Sequence, residues 1–207
     1  MHPIPLDKQA YRYNMKRLEK ASLPTKHGEF DMLAYESPFK DFPHVVLFSK
    51  TNKNETPIVR VHSECMTGDV FGSARCDCGE QLDYSLDYVN KHGGIVIYLR
   101  QEGRGIGLVN KMKAYNLQDE GLNTYQANIK LGFHQDERKF DIAKNILEDL
   151  GIRKIKLLTN NPDKIKQLVE AGIEITTRIP IEINAHEINK DYLKTKKDDM
   201  GHMLDQF

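Results

Sequence analysis

The chain has 207 residues, 39% hydrophobic and 29% charged, enough for one domain with a sizeable core. Its 30 basic residues balance 30 acidic ones, and zero net charge speaks against generic nucleic-acid binding, which leans on basic excess. No signal-peptide pattern opens the chain and no apolar run reaches the ~18 residues of a membrane span, so the sequence reads as a cytoplasmic protein with reduced thiols.

In chain order, residues 6–21 carry a charged helical pattern that ends before Leu23-Pro24. Residues 1–22 therefore read as a helical extension, ahead of a domain over 23–207. Short apolar runs predict strands at 30–35, 44–48 and 58–61. A helix is expected over 80–91, stopped by His92-Gly93-Gly94, then a buried strand over 95–99. Helices follow over 105–117 and 137–150, the second ended by Gly151. A strand at 154–158, a helix at 163–170, a strand at 173–179 and a helix near 188–197 complete the pattern. The alternation from residue 80 onward predicts an α/β fold, a sheet covered by helices.

Four stretches carry chemistry. The first holds all three cysteines, Cys65, Cys76 and Cys78, written C-x10-C-x-C. Three thiolates suit Zn2+ and leave a fourth position for water, which is the pattern of a catalytic site. A structural zinc would recruit a fourth ligand, and His62 stands close in sequence. The cysteines could also be small buried hydrophobes or a redox pair, but the flanking Arg, His, Glu and Asp residues suit neither core packing nor a secreted disulfide framework. The second stretch, Arg100-Gln101-Glu102-Gly103-Arg104-Gly105-Ile106-Gly107, follows a strand and opens a helix, a junction whose backbone N–H groups can bind phosphate, although a Gly-rich tight turn with no ligand has the same composition. It matches neither standard phosphate loop. The third, Asp136-Glu137-Arg138, locally reads as a helix cap and a solvated arginine. In the fourth, 157–164, a polar loop leaves a strand end, where open α/β sheets bind ligands, with Thr159 and Lys164 suited to phosphate oxygens.

Together with Arg60-Val61-His62-Ser63-Glu64, Asn110-Lys111 with Ala114-Tyr115, and Leu131-Gly132-Phe133, these stretches stand in the order they have in one family. From Leu23 to His202 the chain resembles GTP cyclohydrolase II. The resemblance implies a single-domain mixed sheet covered by helices, one Zn2+ per subunit on Cys65, Cys76 and Cys78, Mg2+ with the GTP phosphates, and a homodimer. It implies hydrolysis of GTP at C8 of the guanine, with release of formate and pyrophosphate and formation of a diamino-ribosylaminopyrimidinone phosphate, the step that opens riboflavin biosynthesis. Asp136 is then the general base, Arg138 the nucleophile at the α-phosphorus, and Tyr115 a group beside the metal centre. A guanidinium that stays protonated could instead neutralise charge on the phosphoryl group. GTP binding falls to Arg60, Val61, His62, Ser63, Glu64, Gln81, Glu102, Gly103, Arg104, Thr124, Thr159 and Lys164.

Two rival readings stand beside it. His62-Ser63-Glu64 mimics the H-x-E of zinc deaminases, but those continue with Pro-Cys-x-x-Cys, and Cys76-Asp77-Cys78 is one residue short. A zinc-bearing nucleotide sensor without turnover would not need Tyr115, Asp136 and Arg138 together.

Overall fold

The structure, a computed structural model, describes residues 15–38, 41–51, 55–134 and 136–206. Seven strands form one mixed sheet in the order β1-β2-β3-β5-β4-β6-β7. β1 (Arg17–Thr25), β2 (Gly28–Tyr35) and β3 (His44–Ser49) run as an antiparallel meander, and β3 pairs antiparallel with β5 (Gly94–Leu99). The other half is parallel: β5, β4 (Ile58–Ser63), β6 (Lys154–Leu158) and β7 (Glu174–Ile179). The expected α/β architecture is present.

β4 lies between β5 and β6, so the crossover from β4 to β5 and that from β5 to β6 run in opposite directions along the sheet. Right-handed crossovers in opposite directions put their helices on opposite faces. Two cores result. α2 (Cys78–His92) sets Leu86 and Val89 against Ile58 and Val96 on one face. α5 (Asp141–Asp149) and α6 (Pro162–Glu170) set Ala143, Ile146, Leu147 and Leu168 against Val59, Val61, Ile97 and Leu99 on the other. The reversal leaves a crevice beyond the carboxyl ends of β4, β5 and β6, where ligands bind in open α/β sheets.

Three expected elements differ. Residues 17–21, expected to end a helix, lie in β1, and 6–14 fall outside the described residues. The helix-forming Arg, Leu, Glu, Lys and Ala of this stretch are overridden by the ladder to β2. As an edge strand with 17–22 exposed, β1 shows no apolar alternation, and the boundary drawn at residue 22 falls inside it. The helix expected from 105 is α3 (Leu108–Asp119), because Gly103 and Arg104 turn into the left-handed region at φ 61° and 60°. The helix expected from 137 begins at Asp141, since Asp136 binds the Arg138 N–H at 3.0 Å instead of capping a helix. Two helices were not expected. α1 (Met66–Asp69) is a single turn, and α4 (Thr124–Lys130) opens on a capping box in which Asn123 and Gln126 exchange bonds of 2.9 and 3.0 Å. Asn-x-x-Gln was a readable start signal. α7 (Lys190–Asp198) closes the series.

Gly94 is the tightest point of the sheet: a Cβ there would sit 2.1 Å from the Ile58 carbonyl oxygen. Gly94→Ala is expected to cost roughly 3 kcal/mol through that backbone clash and its φ of +156°. Urea unfolding checks this, and a midpoint equal to the parent's would refute it.

Candidate active site

Three strand ends build the site. After β4 the chain makes the single turn of α1 and returns, so that Asp69 lies back under the strand it left. Its buried carboxylate accepts from the Cys65 N–H at 2.9 Å, from His62 Nε2 at 3.1 Å and from the Tyr98 hydroxyl at 2.8 Å. Cys65 is thereby fixed against both β4 and β5. Cys76 precedes α2 and Cys78 is its first residue. The three sulfurs lie within 4.8 Å of one another, with Cys65 Sγ and Cys76 Sγ 3.7 Å apart.

These residues fit a metal ion. Thiolates ~2.3 Å from a tetrahedral zinc stand ~3.8 Å apart, close to the Cys65–Cys76 separation. Hydrogen bonds from Cys76 and Cys78 hold the Cys65 thiol far below its ordinary range, and the Lys111 ammonium 3.1 Å away adds to this. The same Cys65 contact pushes Cys76 up to about 11 and Cys78 well above its usual value. A coordinated cation deprotonates all three thiols. Gly68 makes room for this, since a Cβ there would lie 3.0 Å from Cys76 Sγ and 3.2 Å from Cys65 Sγ.

A polar chain runs outward from the sulfurs. Lys111 Nζ donates to Thr67 Oγ1 and to Glu102 Oε1, both at 2.8 Å. The Tyr115 hydroxyl lies 3.2 Å from Thr67 Oγ1, and burial raises its pKa. Glu102 also accepts from the Met66 and Gly103 N–H groups, at 2.6 and 2.8 Å, tying the turn after β5 to the cysteine loop.

The cleft beside the sulfurs holds about 1110 Å³ of empty space, continuous with solvent. Its far side is cationic. Burial pulls the Arg60 guanidinium down to about 10. Burial, with Arg60 and Arg138 nearby, pulls Lys164 well below ordinary lysine, although its Nζ donates to the Val61 carbonyl at 2.6 Å. Both terminal nitrogens of Arg104 are buried without a hydrogen-bond partner, on a residue held at positive φ. Buried unpaired donors of this kind mark a place for an acceptor. Arg138 is paired, its Nε donating to Asp136 at 2.8 and 3.1 Å and its NH2 joining the same carboxylate. Burial works against both charges, yet the pair prevails: Asp136 is held below the usual carboxylate range and Arg138 above its ordinary value.

The residues singled out in the sequence converge here. Arg60, His62, Ser63 and Glu64 line the cleft from the end of β4, and Gln81 lines it from α2. Glu102, Gly103 and Arg104 line it from the turn after β5, and Thr124, Thr159 and Lys164 from the opposite side. Cys65, Cys76, Cys78, Tyr115 and Arg138 complete it. Val61 is different: its side chain is fully buried in the core and only its carbonyl faces Lys164. Asp136 acts on the cleft through Arg138. Sequence reasoning assigned no role to Asp69, Asp77, Lys111, Lys196 or His202. Asp69 and Asp77 sat inside the cysteine stretch and were readable there. The partnership of Asp77 with Lys196, 2.5 Å apart across 119 residues, was not.

A sequence model of the GTP cyclohydrolase II family matches residues 16–180. A GTP cyclohydrolase-2 of Campylobacter fetus subsp. fetus is 56% identical over 189 residues, covering 90% of this chain and 95% of that protein. A GTP cyclohydrolase-2 of Buchnera aphidicola subsp. Schizaphis graminum is 50% identical over 190 residues, covering 91% and 97%. A riboflavin biosynthesis protein RibBA of Chlorobium phaeovibrioides is 51% identical over 193 residues, covering 92% of this chain and 47% of that protein.

Gly68→Ala is expected to weaken metal binding about 10- to 100-fold by displacing the sulfurs. Cobalt, whose thiolate charge-transfer absorption reports coordination, titrated against a chelator measures this; unchanged affinity would sink the argument. Lys164→Met is expected to raise the melting temperature by roughly 3 °C or more at neutral pH, because it removes a buried cation among cations. The unfolded lysine keeps its proton to about pH 10, while the folded one gives it up at lower pH. The parent therefore gains stability as pH rises, and the advantage of the variant should narrow between pH 7 and about pH 10. A pH-independent gap in melting temperature would contradict this.

Proposed function

The chain belongs to the GTP cyclohydrolase II family, and from that premise we propose that it hydrolyses GTP to formate, pyrophosphate and a diamino-ribosylaminopyrimidinone phosphate, opening riboflavin biosynthesis. The observation that carries this reading is one cleft lined both by three converging sulfurs and by buried cations, among them the unpartnered Arg104. A nucleotide has matching parts, a base to be attacked and phosphates to be held.

Zn2+ is the ion that Cys65, Cys76 and Cys78 would hold, and when bound it supplies Lewis acidity and a water of lowered pKa. Around it the protein's own groups divide the work. Lys111 fixes Cys65, Thr67 and Glu102 in one arrangement. Tyr115, which lines the cleft and whose hydroxyl is kept protonated by burial, would hand a proton to the reacting base as the imidazole ring opens at C8 and formate departs, with Thr67 fixing that hydroxyl. Glu64, Gln81 and Glu102 offer acceptors and an amide to the guanine N1–H, 2-amino group and O6, beside His62 and Ser63. Arg60, Arg104 and Lys164 receive the phosphates and their Mg2+, with Thr124 and Thr159 as hydroxyl donors.

Asp136 and Arg138 serve the α–β phosphoanhydride, whose Pα–O bond breaks as pyrophosphate leaves. Asp136 as base and Arg138 as nucleophile would first have to give up their ion pair, which holds Arg138 protonated. With water attacking the α-phosphorus as pyrophosphate leaves, Arg138 need only stabilise charge on the phosphoryl oxygens, which asks nothing of that kind, and the paired geometry favours it. Trapping a guanylylated peptide at Arg138 under single turnover would restore the nucleophile. We further place the protein in the cytoplasm as a homodimer, for which the exposed Phe71, Val109, Met112 and Ile129 offer apolar surface. Among the described residues no helix is long and apolar enough to cross a membrane.

The test is an assay of formate and pyrophosphate together, on zinc-loaded protein with GTP and Mg2+. Equal amounts of both are expected, with formate release falling about 100-fold or more in Cys76→Ser. Ammonia in place of formate would point to a deaminase, and tight GTP binding with neither product to a sensor.

A further inference from the structure

One wall of the cleft comes from neither the sheet nor the cysteine loop. α7 and the residues after it bring Tyr192, Lys196 and His202 to the cavity. They lie beyond residue 180, where the family match ends. Two contacts seat this segment: Lys196 Nζ on Asp77 Oδ1 at 2.5 Å, and the Met203 N–H on the Asn160 carbonyl at 3.0 Å, in the loop after β6. Between them Gly201 takes φ +62°, and the chain doubles back so that the His202 N–H bonds the Lys196 carbonyl at 3.0 Å. That turn delivers the imidazole to the cleft, where its Nε2 is buried and has no hydrogen-bond partner. Arg104, whose guanidinium lies 5.8 Å from the Tyr192 ring centroid, presents its own unpartnered nitrogens to the same space.

Burial keeps the His202 ring neutral, down to about 2, and Lys196, Arg138, Lys164 and Arg104 reinforce it. A neutral imidazole among four cations has one N–H to give, and the acceptor its surroundings select is an anionic oxygen. Arg104 and Lys164, which have no carboxylate partner among the described ion pairs, match the part of a nucleoside triphosphate with the densest charge, its two terminal phosphates. We propose that His202 contacts the substrate directly, Nε2–H donating to an oxygen of the β- or γ-phosphate, and that the C-terminal segment is the phosphate-side wall of the site. The inference rests on the GTP reading and adds to it a residue outside the family match.

The test uses zinc-loaded full-length protein, with calorimetric titration of inorganic pyrophosphate and of guanosine, and the KM for GTP. His202→Asn removes the Nε2 position; His202→Gln returns an amide N–H near it. The Asn variant is expected to bind pyrophosphate about tenfold more weakly and to show a similar rise in KM, with guanosine affinity and zinc content unchanged. The Gln variant should return to within about threefold of the parent. Unaltered pyrophosphate binding in the Asn variant would overturn the proposal. So would an equal loss for guanosine, or a Gln variant no better than Asn. A parent that releases no formate from GTP refutes the functional reading instead, and the pyrophosphate titrations still decide the role of His202.

Discussion

The carboxylate of Asp69 is the joint on which the site depends. It lies 3% exposed at its side chain and gathers three donors, the Cys65 backbone N–H, the His62 ring and the Tyr98 hydroxyl. One is the first cysteine, one belongs to β4 and one to β5. A loop is ordinarily mobile relative to the sheet that carries it; this one is fixed at its first cysteine by a buried charge with its hydrogen-bonding capacity filled. The other two cysteines are set by Asp77, which lies between them and receives Lys196 and Gln81 at 2.5 and 2.6 Å. Gln81 in turn accepts from Arg60 at 2.7 Å. Metal loop, α2, β4 and α7 are therefore one hydrogen-bonded unit, and displacing any member disturbs the others.

The acids of the site are consumed in this way. Asp69 serves His62, Asp77 serves Lys196, Glu102 serves Lys111 and Asp136 serves Arg138. No carboxylate is paired with Arg60, Arg104 or Lys164 among the described ion pairs. Burying such cations works against folding, and the fold meets that cost with the apolar cores on both faces of the sheet. A binding site for a polyanion requires it, because cations already neutralised by carboxylates would have little left to offer a phosphate. Stability given up at Lys164 and Arg104 returns as affinity when the ligand arrives.

Much of this was legible in the sequence because it is local. Cys65, Cys76 and Cys78 announce themselves by type and spacing, and the strand-turn-helix junctions at 99–108 and 158–164 by glycine, asparagine and proline. What was not legible is either long-range or set against local preference. β1 has the composition of a helix and becomes a strand because β2 offers it a ladder. Asp136 has the look of a cap and becomes half of an ion pair. Val61 alternates correctly into the core, so its neighbours Arg60 and His62, on the other face of β4, carry the chemistry while it carries packing. Lys196 lies in the helix expected near 188–197 and His202 in the polar stretch after it; neither carries a local signal for the cleft, to which the return of the chain over the loop after β6 brings them.

In the proposed reaction, charge would also bear on how a nucleotide lies. Beside the sulfurs stand Glu102 and, paired with it, the Lys111 ammonium 3.1 Å from Cys65 Sγ. The phosphates would be drawn to Arg104 and Lys164, which have no carboxylate partner among the described ion pairs. The base would then lie towards the cysteines, with C8 facing the ion they would hold and the α-phosphorus facing Arg138. Positioning of this kind contributes to rate without any added contact at the reacting atom. The activity thus resides in the uneven division of partners among buried charges, a property that neither the sheet topology nor the cysteine triad contains alone.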